Sequence, residues 1–490
     1  MEIATALAGS RSCGRNCHRL GGISLRRENL EIFNIMPPLL RHILFFTFLA
    51  LFLIITPLLI LYANGYQFSL MKKNFVKTGM LILDTRPRGA SIYIDSMQQN
   101  ESAIFGSRNP IVTPAKIKGL LPGDFSVRLV LEGYWPWEKK LSVQPGASTY
   151  AEDVLLFKKS IPVLVSPAEK NTIIYSPDTS RAIFKQADSY AVAELSQTLS
   201  TAIKLDQRAT SSLNAVWSPT AAHLLIGRSL FDMTQDPPRI NPDFSLPAAT
   251  AFMKWDGKDD NAIYYFDEKN QLIAYDLSTD ELTATAVTLD PKLAKNDYDF
   301  EVRNDNLYFV KSGDDKAIFN VIAIPTGKMI KSLELPASGR FRLINPGHNY
   351  VNLFDDKNKA LIIIDPLSNV ADLVDNLENI TVAKWINDDK LLYANDYEIW
   401  IYDLRARQKR LLTRISDKIN DVFWHPSNNY VIYSTDGSIV VIELDEREKN
   451  IRTDLFSSGP VSSIELEEAG KTLYFYTTIG NIGGLYELDI

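Results

Sequence analysis

DVFWHPSNNYVIYS, residues 421–434, reads as an apolar run ending in Trp, a short polar turn and a second apolar run. The same arrangement occurs as IIYSPDTSRAIF from 173, AVWSPTAAHLLIG from 215, FMKWDGKDDNAIYYF from 252, FEVRNDNLYFV from 300, FRLINPGHNYVNLF from 341, VAKWINDDKLLYA from 382 and SSIELEEAGKTLYFY from 462, with starts about 40 residues apart. Many openings are followed by a strand-like run closing on Asp: IAYDL, IIIDP, WIYDL, VIELD and LYELD, placing Asp276, Asp365, Asp403, Asp445 and Asp489 in equivalent slots. A period near 40 with four short strands per unit predicts a β-propeller. Helical repeats of that length would need apolar residues every 3.6 positions, which these runs lack.

Counting gives eight units, and the last has room for only three strands. SIPVLVS at 160–166 would supply the missing outer strand and close the ring. The second unit, with FDMTQDPPRINPDFSLP, blurs its own boundaries and leaves seven blades open. Trp217, Trp255, Trp385 and Trp424 fall in one register, so blade-core packing is favoured over a ligand pocket, large aromatics being the main filling of such cores. The repeated Asp residues read as turn formers.

Outward toward the N-terminus, MLILDT, ASIYIDS, SVRLVLE, KKLSVQ and EDVLLF alternate between Pro and Gly punctuation, predicting a small antiparallel sandwich over 78–159. RPRGASIYID followed by TPAKIKGLLPGDFSVRLVLEGYWPW contains Pro87, Gly89, Ala90, Thr113, Pro114, Leu120, Pro122, Gly123, Gly133 and Tyr134 in the order seen in the PEGA domain, which the segment resembles. These are structural positions: Pro122-Gly123 reads as a turn with a glycine free to take positive φ, and Gly133 as a bend before Tyr134 packs. Residues 96–112 depart from the pattern as a longer loop, a candidate partner contact. The resemblance implies an extracytoplasmic scaffold with no catalytic group. The openings Ser176-Pro177-Asp178, Trp217-Ser218-Pro219 and Trp424-His425-Pro426 similarly resemble the repeat of TolB-like propellers, although no unit keeps the full W-S-P-D-G.

Residues 43–62, ILFFTFLALFLIITPLLILY, carry no charge and are long enough to cross about 30 Å of hydrocarbon. The run exceeds a signal-peptide core and lacks an A-x-A-like site, so a signal-anchor helix over 39–64 is expected. Arg19, Arg26, Arg27 and Arg41 precede it, and Lys72, Lys73 and Lys77 follow. A basic tail, 1–38, inside the cytoplasm and a long strand-rich part outside is the expected layout. Met36 is an alternative start, which would remove Cys13 and Cys17, the only cysteines. The order of anchor, PEGA-like sandwich and TolB-like propeller over 160–490 resembles membrane-tethered PEGA proteins of small-genome uncultivated bacteria, and LILYANGY adds to that likeness.

A net charge of −7 without a basic stripe argues against nucleic acid as a partner. Cys13, Cys17 and His18 lack the paired spacing of a zinc module. Of five histidines, His223, His348 and His425 fall in the propeller, with His348 and His425 in repeat slots. No G-x-S-x-G, H-E-x-x-H or P-loop occurs. FDDKNKA and VKSGDDKA are acidic turns without the spaced ligands of a calcium loop. No catalytic, cofactor or metal residue is therefore assigned. The sequence predicts an all-β, membrane-anchored binding or scaffold protein with an envelope protein or glycan partner. The alternative is a propeller-type glycoside hydrolase or lyase, which needs only two carboxylates facing one cleft.

Overall fold

The computed structural model describes residues 38–490 apart from 70–73, 102–108, 196–201, 209–213, 242–252, 295–296, 314–315, 336–338, 346–347, 367, 369–372 and 449. Cys13, Cys17 and Met36 lie outside the described residues, as does the centre of the 96–112 loop. The chain divides into two compact units, Met1–Thr78 and Gly79–Ile490.

In the first unit the uncharged run forms one helix, Pro38–Ala63, with Pro57 inside it. Its stretch Leu39–Ala63 is long and apolar enough to cross a membrane. At 1.5 Å per residue it spans about 38 Å. Large apolar side chains stand exposed along it, Phe45, Phe48, Phe52 and Leu59 among them, as they do on a helix solvated by lipid. Asn64 caps the helix through its Nδ2 donating to Ile60 O, and Gly65 turns the chain at φ +78°. A short hairpin of Tyr66–Ser69 and Asn74–Lys77 follows.

The second unit opens with a two-sheet sandwich. Gly79–Arg86 lies between Ala115–Leu120, antiparallel, and Ser148–Leu155, parallel. Facing it, Ser91–Ile94 pairs with Met97–Gln98 and with Gly123–Val130, which continues to Trp137–Val143. Alternation supplies the core: Leu81, Leu83, Ile92, Val127, Leu129, Trp137, Leu141 and Val143 are buried between the sheets.

Eight four-stranded antiparallel sheets follow among the described residues, which decides the blade count. The strand that opens each repeat lies innermost, Ser462–Leu466 in the eighth blade; Tyr298–Arg303 packs on Phe341–Ile344, and Val382–Asn387 on Ile419–Trp424. The eighth blade takes three strands from Ser462–Asp489, and its fourth, outer strand is Val163–Pro167 paired with the last strand. That closure is tight: a Cβ on Gly484 would lie 2.5 Å from Ser166 O, so only glycine fits opposite the bulge there. The middle strands do not alternate. Val351–Asp355, Ala360–Ile364 and Ile439–Glu443 are buried along their whole length because neighbouring blades cover both faces. Tyr308, Val310 and Phe319 of blade four thus share a core with Leu353 and Ile362 of blade five.

Candidate functional site

The PEGA-like residues act on backbone geometry. Pro87 and Pro114 each follow a cis peptide. The buried Thr113 donates and accepts around the first turn: its backbone N–H reaches Ala90 O at 2.9 Å, its O accepts from Gly89 N at 2.9 Å, and its Oγ1 accepts from Ala90 N at 3.0 Å. Gly89 (φ +96°) and Gly133 (φ +79°) occupy the left-handed region. Gly123 does not. It opens a strand opposite Val143, and Gly119 (φ +77°) takes the left-handed position. Gly119 is the bulge residue within the strand Ala115–Leu120, between the Gly79–Leu120 and Met80–Lys118 pairs, and the chain turns after Leu120, at Leu121-Pro122. Tyr134 is half-buried against the sandwich core.

The 96–112 segment begins with a tight turn, Asp95 and Ser96 both at positive φ as two-residue hairpins require. The extra length then folds back beside the sheet through Glu101 N to Asn109 O (2.9 Å) and Ile111 N to Gln99 O (2.8 Å).

Four tryptophans of one register meet different fates. Trp217 and Trp255 are buried, their Nε1 donating to Ile174 O (3.4 Å) and Val216 O (3.1 Å) on the preceding blade. Trp385 donates to Asn352 Oδ1 and stacks on His348 with centroids 3.9 Å apart. Trp424 donates to Asn428 in its own turn and is only half-buried. The histidines of the propeller pack against aromatic rings. His223 stacks on Trp255, and His425 bonds Ser427 Oγ and Gly470 O, with burial lowering its pKa.

Sandwich and propeller interlock. Phe157 and Trp135 pack into the core of blades seven and eight, Ile451 packs against the sandwich core, and Tyr430 Oη accepts from Leu155 N at 2.9 Å. Lys139, 0% exposed, places Nζ 2.9 Å from Glu443 Oε2, 3.2 Å from Asp445 Oδ2 and 2.7 Å from Asp445 O, while Trp137 Nε1 donates to Glu443 Oε1 at 3.1 Å. Burial pushes the Glu443 carboxyl up against the pull of Lys139. Burial also opposes ionisation of Asp445, but hydrogen bonds from Arg447 and the neighbouring cations prevail and hold it down to about 2. Arg447 Nη1 reaches Tyr150 O, and Lys158 pairs with Asp489 at 2.8 Å. A signal for this junction lay in WEKKLSV: strand alternation puts Lys139 on the same buried face as Trp137, Leu141 and Val143, an odd place for an unpaired lysine.

Beside the junction lies a cleft of about 860 Å³ between the sandwich segment Ala151–Val154 and blades six and seven. Its wall carries the Trp424 indole, the amides of Asn387, Gln408 and Asn428, and charges of both signs, Lys390, Arg410 and Arg447 with Glu152, Asp153, Asp403 and Asp445. An exposed aromatic face among amides that both donate and accept suits a polar, elongated ligand.

The innermost strands line the ring with charges in pairs. Lys254 meets Asp299 at 3.0 Å, Arg303 meets Glu301 at 2.7 Å, and Lys384 meets Asp421 at 3.0 Å. Burial raises the pKa of Asp421 and of Glu465, whose shared neighbour Lys384 pulls the other way. The described residues include no group of three or more His, Cys, Asp or Glu side chains placed to hold a metal ion.

Two sheets closed by a Thr-pinned turn and joined to a ring of four-stranded blades define a scaffold of two β domains. Residues 78–155 match the family model described as PEGA domain. No curated protein matches the chain. Solved structures to which it is similar include Saccharomyces cerevisiae Sqt1 (10% identity, TM-score 0.48, covering 68% of this chain and 98% of that one). The C-terminal WD40 domain of Sif2 shares 15% identity at TM-score 0.47, covering 67% and 99%. An oligogalacturonate lyase from Vibrio parahaemolyticus shares 11% identity at TM-score 0.39, covering 67% and 93%.

Proposed function

We propose that this protein is a non-catalytic binding scaffold, anchored in the plasma membrane by Pro38–Ala63 with its N-terminus cytoplasmic and its PEGA domain and propeller outside. The partner is a protein or glycan of the cell envelope, taken up on the propeller. The observation that carries this reading is the pairing of charges around the ring: Asp299, Glu301 and Asp421 each sit against a cation. A glycosidase needs one carboxyl kept as acid and one kept free as base or nucleophile. The interlocked junction supports the same reading, since a rigid two-domain body presents a fixed surface at low entropic cost.

Protease added to intact cells is expected to remove a C-terminal tag without lysis. Protection in intact and osmotically shocked cells, with digestion only after lysis, would reverse the orientation. A polysaccharide-cleaving propeller is the second reading, and Asp421 with Glu465 favours it: two carboxyls on neighbouring innermost strands, both with raised pKa and one lysine between them electrostatically. Release of reducing ends from envelope polysaccharide by the purified chain, abolished in Glu465→Gln, would establish that reading and end the first.

A further inference from the structure

The uncharged run 43–62 covers about 30 Å as a helix, the thickness of the hydrocarbon layer, so in the anchored chain its last residue, Tyr62, marks the membrane boundary. Gly65 follows within one helical turn, in the zone of the lipid headgroups. Hydrogen bonds pin the chain there. Asn64 N and Nδ2 both donate to Ile60 O, at 3.0 and 2.8 Å, and Gly65 N donates to Tyr62 O at 3.0 Å. Gly65 O in turn accepts from Thr78 N at 2.8 Å and from Thr78 Oγ1 at 2.7 Å. The hairpin of Tyr66–Ser69 and Asn74–Lys77 is thus fixed at both of its ends to the end of the helix.

Its two faces differ. Tyr66 opposes Lys77 and Phe68 opposes Phe75, so these four stand on one face, while Gln67 and Asn74 fall on the other. Phe68 and Phe75 meet edge to face with centroids 5.5 Å apart, yet remain 53% and 45% exposed. Among the described residues no third strand joins the pair, and a lone two-stranded hairpin is marginal in water. A stable protein interface draws on about 20–30 residues a side, and this face has four. Lipid needs no such area. Aromatic rings settle at the membrane boundary, and the exposed Lys77 carries its ammonium toward headgroup phosphates on an apolar stem. Tyr62, at the end of the helix and 73% exposed, adds a ring at the same depth. We propose that this hairpin is a second membrane contact, with Phe68 and Phe75 set into the headgroup–acyl boundary of the bilayer that the helix crosses and Gln67 and Asn74 turned to water. The inference rests on the membrane anchoring in the function proposed above and holds for either orientation of the helix.

The test is nitroxide accessibility on the full chain carrying Cys13→Ser and Cys17→Ser, reconstituted in vesicles of phosphatidylcholine and phosphatidylglycerol. Labels are attached one at a time through Phe68→Cys and Phe75→Cys on the aromatic face, Gln67→Cys and Asn74→Cys on the other, and Phe52→Cys in the helix. Oxygen partitions into the bilayer and a nickel chelate stays in water, so the ratio of the two relaxation effects reports depth. That ratio is expected to be about fivefold or more higher at positions 68 and 75 than at 67 and 74, as for an apolar face buried about 5–10 Å into the boundary. Tyr66→Cys leaves both phenyl rings in place and should follow positions 68 and 75; its result decides if loss of one ring unpairs the strands. Equal ratios on the two faces, position 66 included, would overturn the inference. So would spectral broadening at position 68 that dilution with unlabelled chain removes, the mark of a second copy on this face. With the Phe52→Cys label reached by oxygen and not by the chelate, either result leaves the anchor standing and removes only this contact. A chelate-accessible label there would remove the anchor and the contact together.

Discussion

Blades two and three and blades seven and eight use the same repeat slots for different ends. In the early blades Trp217 and Trp255 are core residues whose indole nitrogens tie each blade to the one before it. In blade seven the equivalent Trp424 bonds its own turn and stands on the wall of the large cleft. The terminal Asp shows the same divergence. Asp276 and Asp403 accept from backbone N–H groups two or three residues on, closing hairpins. Asp445 makes the same turn contact, with Arg447 N, but also faces Lys139 of the sandwich, and Asp489 faces Lys158. A repeat fixes where a side chain leaves the backbone; what it then meets depends on the neighbour that the rest of the chain supplies.

The largest break in this comparison should come from Lys139. Lys139→Ala removes the cation from the buried Glu443 carboxylate, while Asp445 keeps Arg447, and is expected to cost about 3–5 kcal/mol in denaturant unfolding. Pairing Lys139→Met with Glu443→Leu should return part of that loss, since a matched apolar pair carries no stranded charge. Losses that simply add would mean that the ion pair is not the contact that couples the domains.

Tryptophan truncation should separate the early blades from the late one. Trp255→Ala is expected to cost about 3–5 kcal/mol through the cavity left between blades. Trp424→Ala, already half in solvent, should cost about 1–2 kcal/mol. Equal costs would show that Trp424 is a core residue after all.

Acid should weaken the late-blade junction through Asp445. Asp445 has its folded pKa depressed from 3.8 to about 2. Its contribution is therefore fully present above its unfolded pKa and drains away as pH falls from about 4 to about 2. Stability followed across that window should fall less in Asp445→Asn than in the parent chain. A difference centred near pH 6 would point to histidine instead.

Most of the architecture was legible because periodicity alone forces it: a 40-residue unit with two apolar runs must stack to bury itself, and the stray strand before the first unit was the available partner for an incomplete last one. The fate of single side chains was not legible. Nothing local separates Trp255 from Trp424, because the difference lies in whether a blade or the sandwich edge covers the indole. The burial of the Arg303–Glu301 pair was missed for the same reason: Tyr308 and His348, which meet the guanidinium, come from other strands or turns. The turn at Pro122 was legible, but the left-handed glycine beside it was not: Gly119 takes positive φ as a bulge set by its register with Gly79 and Met80, which a distant strand supplies.

Gly133 and Gly123 give the smallest and cleanest test of whether the junction concentrates the energetics. Gly133 has φ +79° with open space around the missing Cβ, and its O accepts from Lys159 N where the sandwich hands over to the propeller. An alanine there meets no clash, so the cost is backbone strain alone, about 1–2 kcal/mol. Gly123 is equally open but lies outside the left-handed region, at the start of a strand remote from the propeller contact. Gly123→Ala should fall within about 0.5 kcal/mol of the parent, since it also restricts the unfolded chain. A cost at Gly123 matching that at Gly133 would mean that the Pro122-Gly123 turn carries strain of its own, and that the sandwich is not weakest where it meets the blades.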